Sequence, residues 1–445
     1  MNMGKSKSGD LESQIHTSRY TAAHECVSEE ALAHLKTYKY SSVDKSFISR
    51  YILKHYWNGF VELLPMWLAP NMVTLLGFMF ILGNVALVEL YVPDLVGPAP
   101  AWLYYSFAFG LWMYSTLDNV DGKQARRTGT SSGLGELFDH GIDSLNCTLG
   151  SLLETAAMGY GATRTGAFTA LIPCLPMFFS TWETYHTHTL YLGYFNGPTE
   201  GLIIACSIMI ISAHNGPGVW SDSLIKHFPS LENYVAPTTT FRDFWVPILL
   251  GSFLIAHLPA CVVNVARARR ANNLPVLPIL LEWTPMVIFT TATCAWLGSP
   301  YSTILEEWDA PNKTGGHLVL FCLTMSLVFG RMTTKIILAH LTRQPFPYWT
   351  VMLVPLIGGA VLTNLPRLGL GSPAAIAVFE IWYLKAYFVF AAVVYANWAI
   401  LVVNSICSFL GINCLTIPSK KDKEGENGQL DSEKRVPNGT GRKSD

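Results

Sequence analysis

The chain has 445 residues, of which 50% are hydrophobic and only 14% charged, against about 25% charged in an ordinary soluble domain. That balance excludes a soluble globular protein and fits an all-α, polytopic membrane protein. The formal net charge of −1 decides little, because in such a chain the placement of charges matters more than their sum. Nine cysteines are scattered without a C-x-x-C pair, most of them inside apolar runs, so they read as reduced packing residues and no zinc site is expected.

Residues 1–40 are polar, rich in Ser, Lys and Glu, and are expected to be flexible; no apolar stretch follows the early lysines as a cleavable signal would require. Over 41–65, Phe47, Ile48, Tyr51, Ile52, Tyr56, Phe60 and Val61 return at helical spacing while Arg50 and Lys54 mark another face. An amphipathic helix lying in the headgroup layer satisfies this pattern, and one packed on protein satisfies it equally.

Apolar runs of roughly 17 to 25 residues suffice to cross a bilayer. Ten are expected, near 71–92, 101–120, 142–161, 166–182, 199–213, 244–266, 277–297, 316–339, 350–366 and 378–405, the fifth being short. Residues 66–213 are assigned to a catalytic helical unit and 214–410 to additional spans. The tail, 411–445, is charged from Pro418 on, has no apolar period and is expected to be disordered.

Loop charges orient the spans. With a cytosolic N-terminus, the cytosolic segments receive the N-terminal lysines, Lys123, Arg126, Arg127, Arg267, Arg269, Arg270, Arg343 and the basic tail. The other side keeps Arg164, Lys226, Arg242, Lys313 and Arg367. This asymmetry predicts both termini on the cytosolic side, so that of the sequons at Asn312 and Asn438 only the first is open to glycosylation. Arg331 with Lys335, and Glu380 with Lys385, are charges inside spans to which no role is assigned.

The most informative stretch is Asp118-Asn-Val-Asp121-Gly122-Lys-Gln-Ala125-Arg126, then eight residues, Gly135, three more, Asp139, three more and Asp143. On helices, Asp118 shares a face with Asp121, and Asp139 with Asp143. Two such turns facing each other present four carboxylates to one point, which repel unless a cation sits among them. A solvated acidic loop is the plain alternative, but it has no need of the small residues Gly122 and Ala125 one turn apart, which admit a ligand or a helix. All-oxygen ligands favour Mg2+, with Mn2+ second, and four carboxylates suit a pair of ions.

The pattern D-x-x-D-G-x-x-A-R-x8-G-x3-D-x3-D is matched at every fixed position and resembles the signature of the CDP-alcohol phosphotransferases, integral membrane enzymes that move a phospho-alcohol from CDP to an acceptor hydroxyl. The resemblance implies that Asp118, Asp121, Asp139 and Asp143 hold metal, with Asp143 also acting as general base. His140 is the rival base. It further implies that Arg126, a planar fork suited to phosphate oxygens, contacts the diphosphate, and that Gly122 and Ala125 let the nucleotide approach the backbone. Asn71 and Thr74 resemble an element near the cytidine pocket, although Asn71 would serve as well as a helix cap.

Leu35-Lys-Thr-Tyr-Lys-Tyr40 resembles a segment of the eukaryotic choline and ethanolamine branch, as does Thr181-Trp182-Glu183-Thr-Tyr185-His186. In the latter, Trp182 and Tyr185 could face a quaternary ammonium with Glu183 as counter-charge; an interfacial aromatic belt is the alternative. The branch implies that CDP-choline or CDP-ethanolamine reacts with diacylglycerol in the membrane of the endoplasmic reticulum or Golgi, at a cytosolic active site. Choline is favoured, but three methyls at about 1 to 3 kcal/mol each do not exclude ethanolamine. A cation-coupled transporter is a distant alternative, disfavoured because no internal repeat is evident. No nucleic-acid partner is expected, and the oligomeric state is left open, a homodimer included.

Overall fold

The structure, a computed structural model, describes residues 28–305 and 316–417. The sequons at Asn312 and Asn438, and the ends of the chain expected to be flexible, lie outside the described residues. Within the described residues the chain is almost wholly helical, an all-α polytopic membrane protein.

Part of the stretch expected to be flexible is packed. Ser28 caps a short helix, α1 (Glu29–Ala33), by accepting the Ala31 amide at 3.3 Å, and a 3-10 turn, His34–Thr37, continues it. Leu32 and Leu35 are buried against Leu134, Leu137, Leu341, Trp398 and Ile406, partners too distant in sequence to be visible in the local polarity of the segment. Strand β1 (Ser42–Asp44) follows. The amphipathic segment then runs through Ser49–Leu53 into helix α2 (Lys54–Leu63). Both readings of that segment find a face: Leu53, Trp57 and Val61 pack on Val73, Leu117 and Val120, while Phe47, Tyr51 and Ile52 stay exposed.

Helix α3 (Pro70–Tyr91) starts on a proline, whose missing N–H costs nothing at a first turn. It crosses α4 (Ala101–Thr128) closely. Asn84 of α3 donates to the Ser106 carbonyl at 2.8 Å, and a Cβ on Gly110 would come within 2.1 Å of Asn84 Nδ2, so only glycine fits that crossing. Helix α5 (Gly133–Ala157) returns after a turn of four residues. The turn is made by Gly129, at φ 67° in the left-handed region, and by Ser132, which accepts the Gly135 amide at 3.3 Å. The helices therefore reach farther than the apolar runs: α4 extends past residue 120 and α5 begins well before 142, because the acidic motif is itself helical. Arg126 and Arg127 sit in the last turn of α4, where cations complement the helix dipole.

The fourth expected span is broken, as α6 (Arg164–Leu171) and α7 (Cys174–Thr187), with Pro173 in the break. Strand β2 (Leu190–Leu192) pairs in parallel with β1, Ser42 opposite Leu190. Then come α8 (Leu202–Asn215), a short α9 (Leu224–His227), α10 (Phe241–Ser252), α11 (Leu258–Ala271), α12 (Thr284–Leu297), α13 (Leu318–Leu341), α14 (Leu353–Asn364) and α15 (Pro373–Leu410).

By length and apolarity, six helical stretches can cross a membrane: 70–91, 197–215, 241–271, 277–297, 318–341 and 373–410. Helices α4 and α5 are as long, but hydroxyls, aromatics and acids lower their apolarity. They are also among the most deeply packed, α5 lying between α3 and α13. The main core runs through Ile81, Phe107, Leu152, Phe178, Phe321 and Leu384, so the motif helices are clamped from several sides.

Candidate active site

Asp118 and Asp121 occupy the last turns of α4, and Asp139 and Asp143 the first turns of α5. The short turn between the helices sets their four carboxylates against one another: Asp118 meets Asp139 and Asp143, and Asp121 bears on the same pair. The outer two are held by neighbours. Thr74 of α3 donates its hydroxyl to Asp121 Oδ2, and the buried Tyr114 donates to Asp143 Oδ1. The inner two are not so served: Asp118 Oδ1 and Asp139 Oδ1 are buried without a hydrogen-bond partner.

An orphaned carboxylate oxygen is costly, and two facing each other are costlier. Ligand atoms of Asp139, His140 and Asp143 lie within 4.8 Å of one another. Two carboxylates with one imidazole form a donor set that could hold a divalent cation, a group that differs from the four carboxylates the spacing singled out.

A family profile described as CDP-alcohol phosphatidyltransferase matches residues 67–224, which contain the whole cluster. The chain is 36% identical over 413 residues to Choline/ethanolaminephosphotransferase 2 of Arabidopsis thaliana, covering 90% of this chain and 99% of that protein. It is 36% identical over 325 residues to Cholinephosphotransferase 1 of Saccharomyces cerevisiae, covering 72% of this chain and 80% of the other. The chain belongs to the CDP-alcohol phosphatidyltransferase family. The likeness to the yeast Choline/ethanolaminephosphotransferase 1, 34% over 344 residues, is of the same order.

Other residues singled out in the sequence fall in two groups. Around the family's aspartates, Arg126 is exposed, and a Cβ on Gly122 would sit in ordinary contact with its Nη1, at 3.6 Å. Ala125 is half-buried on the same helix. Asn71 does not cap α3, since Ala69 holds the N-cap; it donates instead to the Cys414 carbonyl at 3.1 Å, bringing the end of the described chain to the site. Thr74 holds an aspartate.

The second group is engaged within the protein. The Trp182 ring is fully enclosed by Phe179, Trp283 and His186, and its Nε1 donates to Glu282 Oε2 at 2.7 Å, so it offers no open face to an ammonium group. Glu183 accepts from Asn264 at 2.7 Å, and the Tyr185 hydroxyl donates to the Gln344 carbonyl at 2.9 Å. These bonds tie α7 to α11, to the Leu277–Trp283 turn and to the chain after α13. The three side chains thus form a polar junction inside the protein and not an interfacial aromatic belt.

Two site residues escaped the sequence reading. Tyr114 stands four residues before Asp118, and Glu136 four before His140, each on the same helix face as its neighbour. Glu136 has one oxygen, Oε2, buried without a partner, and His340 Nε2 approaches its other at 3.9 Å. The one-turn spacing was the available signal. It carries weight only once the helices are known to run through the motif.

Proposed function

We propose that this protein transfers phosphocholine, and also phosphoethanolamine, from the CDP-alcohol to the hydroxyl of 1,2-diacylglycerol, giving phosphatidylcholine or phosphatidylethanolamine and CMP. The observation that carries the reading is the pair of orphaned oxygens on Asp118 and Asp139, buried among four acids in a family whose relatives are named for this chemistry. An ethanolamine preference is the alternative inside the family.

The acceptor oxygen attacks the phosphorus that bears the alcohol, the bond from that phosphorus to the oxygen of CMP breaks, and the acceptor proton passes to a base. Two Mg2+ ions, held by Asp118, Asp121, Asp139 and Asp143, with Mn2+ as substitute, would neutralise the diphosphate. Thr74 fixes Asp121 and Tyr114 fixes Asp143, so the carboxylates meet the substrate already oriented. Arg126 takes diphosphate oxygens, and Gly122 with Ala125 leaves the nucleotide space along α4. Asp143 receives the proton. A second reading, favoured by Glu136 standing beside His140, gives that role to His140 with Glu136 orienting its ring. Asp143→Asn and His140→Gln separate the two: the base variant loses turnover while still binding CDP-choline.

The charge asymmetry of the loops supports a site open to the cytosol, and the likeness to the choline and ethanolamine branch supports an early secretory membrane, with diacylglycerol arriving from the leaflet. A competition assay on the purified protein, labelled CDP-choline against CDP-ethanolamine with diacylglycerol, tests the function. Comparable use of both supports the dual reading, strong preference for ethanolamine selects the alternative, and absence of CMP release from either refutes the proposal.

A further inference from the structure

Residues 45–52 carry a row of side chains that the core does not use. Ser46 and Ser49 point inward: the Ser46 hydroxyl donates to Glu200 Oε1 at 2.5 Å, and the Ser49 amide donates to Ser46 Oγ at 3.0 Å. Both serines are buried, whereas Lys45, Phe47, Arg50 and Tyr51, their chain neighbours, are all exposed. A second segment joins them. The pairing of β1 with β2 brings Tyr194, two residues after β2, to Phe47, their rings stacked at 5.6 Å. Phe47 in turn stacks on Tyr51 at 6.4 Å. A cation closes each end of the row: Lys45 Nζ lies 5.8 Å from the centre of the Tyr194 ring, and the Arg50 guanidinium 5.6 Å from that of Tyr51.

Core packing does not explain these rings, since Phe47, Tyr51 and Tyr194 stay 61%, 63% and 63% exposed. Ile52, Leu63 and Trp67 prolong the exposed apolar surface along the same stretch of chain. Such a surface belongs where water gives way to lipid, the level at which aromatic rings collect. The charges say which lipid. From residue 39 to residue 58 the chain carries Lys39, Lys45, Arg50 and Lys54 against one acid, Asp44, whose Oδ1 already accepts the Ser46 amide at 2.9 Å. A cation resting on a ring still has N–H donors to offer a phosphate oxygen. A zwitterionic lipid presents a phosphate too, but its ammonium group cancels the field, so two cations on one row favour a lipid with net negative charge.

We propose that this row binds the headgroup of an anionic phospholipid: the three rings rest at the boundary of the acyl chains, and Lys45 and Arg50 take the phosphate and the further negative charge of the headgroup. The site lies on the outer surface of the β1–α2 segment and uses none of the residues of the catalytic cluster, so it stands apart from the phosphotransfer reading.

The test uses the purified full chain in nanodiscs of phosphatidylcholine that carry a trace of phosphatidylserine or phosphatidylcholine dansylated on the acyl chain. Binding is read as energy transfer from tryptophan and its displacement by the unlabelled lipid. The wild type should hold the serine lipid about twentyfold more tightly than the choline lipid. Lys45→Gln and Arg50→Gln should each cut that preference about fivefold, and the double variant should bring it near parity. In 0.5 M NaCl the wild-type preference should shrink, as screening of exposed charges requires. Phe47→Ala with Tyr194→Ala should weaken both lipids alike; unchanged binding in that variant removes the rings from the site and overturns the proposal. Equal affinity of the wild type for the two lipids overturns it as well. So does a preference that survives the double variant and disappears in Arg267→Gln with Arg270→Gln, which would put the anionic lipid at the end of α11. CMP release is not the readout, so a failure of the reaction leaves this result standing.

Discussion

Three buried acidic places in this molecule look alike in the sequence and differ in their partners. Glu380 in α15 is fully buried and accepts from Trp296 Nε1 at 2.7 Å, Ser302 Oγ at 2.6 Å, and both the amide and the hydroxyl of Thr303 at 2.6 and 2.8 Å. Glu282 is shared by Trp182 and His186, at 2.7 and 2.6 Å. The aspartates of α4 and α5 face one another, and two of their oxygens have no donor. A buried carboxylate surrounded by donors fastens helices together; carboxylates set against carboxylates repel unless a cation sits among them. Intramembrane charge alone does not separate these roles, and the donor count does.

That contrast can be broken most decisively at the inner aspartates. Asp118→Asn and Asp139→Asn should each lower kcat/KM by about 100- to 1,000-fold, since each removes charge stabilisation at the diphosphate. Their melting temperature without added metal should stay level or rise, because a repelling charge is gone. An inner variant that melts markedly lower would place these acids with Glu380.

Glu380→Ala should do the reverse. It leaves the Trp296, Ser302 and Thr303 donors buried and unpaired, so stability falls by about 2 to 4 kcal/mol, read as a lower melting temperature in detergent. KM for CDP-choline should hold below the new melting point. A raised KM at full stability would move Glu380 into the site.

The outer supports come next. Tyr114→Phe removes the donor to Asp143 and should reduce kcat by about tenfold with little change in KM. An equal rise in KM would make Tyr114 a binding group.

How far the sequence reached follows the same division. The aspartate spacing put acids on helix faces, and the eight fixed positions identified the family, because both signals are local. The extent of α4 and α5 was missed since the span boundaries followed apolarity, although the acids were already placed on helical turns; Gly129 and Ser132, which cap the two helices beyond the apolar runs, mark the true ends. Trp182, Glu183 and Tyr185 read as a cation box because their partners, Glu282, Asn264 and Gln344, stand about 80 to 160 positions away in the chain. The packing of α1 and the turn after it was hidden for the same reason: Leu32 and Leu35 look like stray apolar residues in a polar tail until α5, α13 and α15 are brought beside them.

The smallest expected effect lies far from the motif. Asp222, in an exposed loop, is held below its ordinary carboxylate value by hydrogen bonds from Lys226 and His227, at 2.8 and 3.1 Å. A lowered carboxylate pKa contributes stability above the ordinary value of 3.8, and that contribution is lost as pH falls through the folded-state value. Asp222→Asn should therefore cost a little melting temperature at neutral pH and nothing in strong acid, where both forms are neutral. A variant that melts differently from wild type only in strong acid would contradict this.

The most direct test of the aspartate cluster is a metal titration of CMP release. Purified protein stripped with EDTA, supplied with labelled CDP-choline and diacylglycerol, should make no product, and added Mg2+ should restore CMP and phosphatidylcholine in equal amounts in the wild type but not in Asp118→Asn. Undiminished product in EDTA, or full restoration in that variant, would contradict the central claim that the facing carboxylates hold the metal on which the transfer depends.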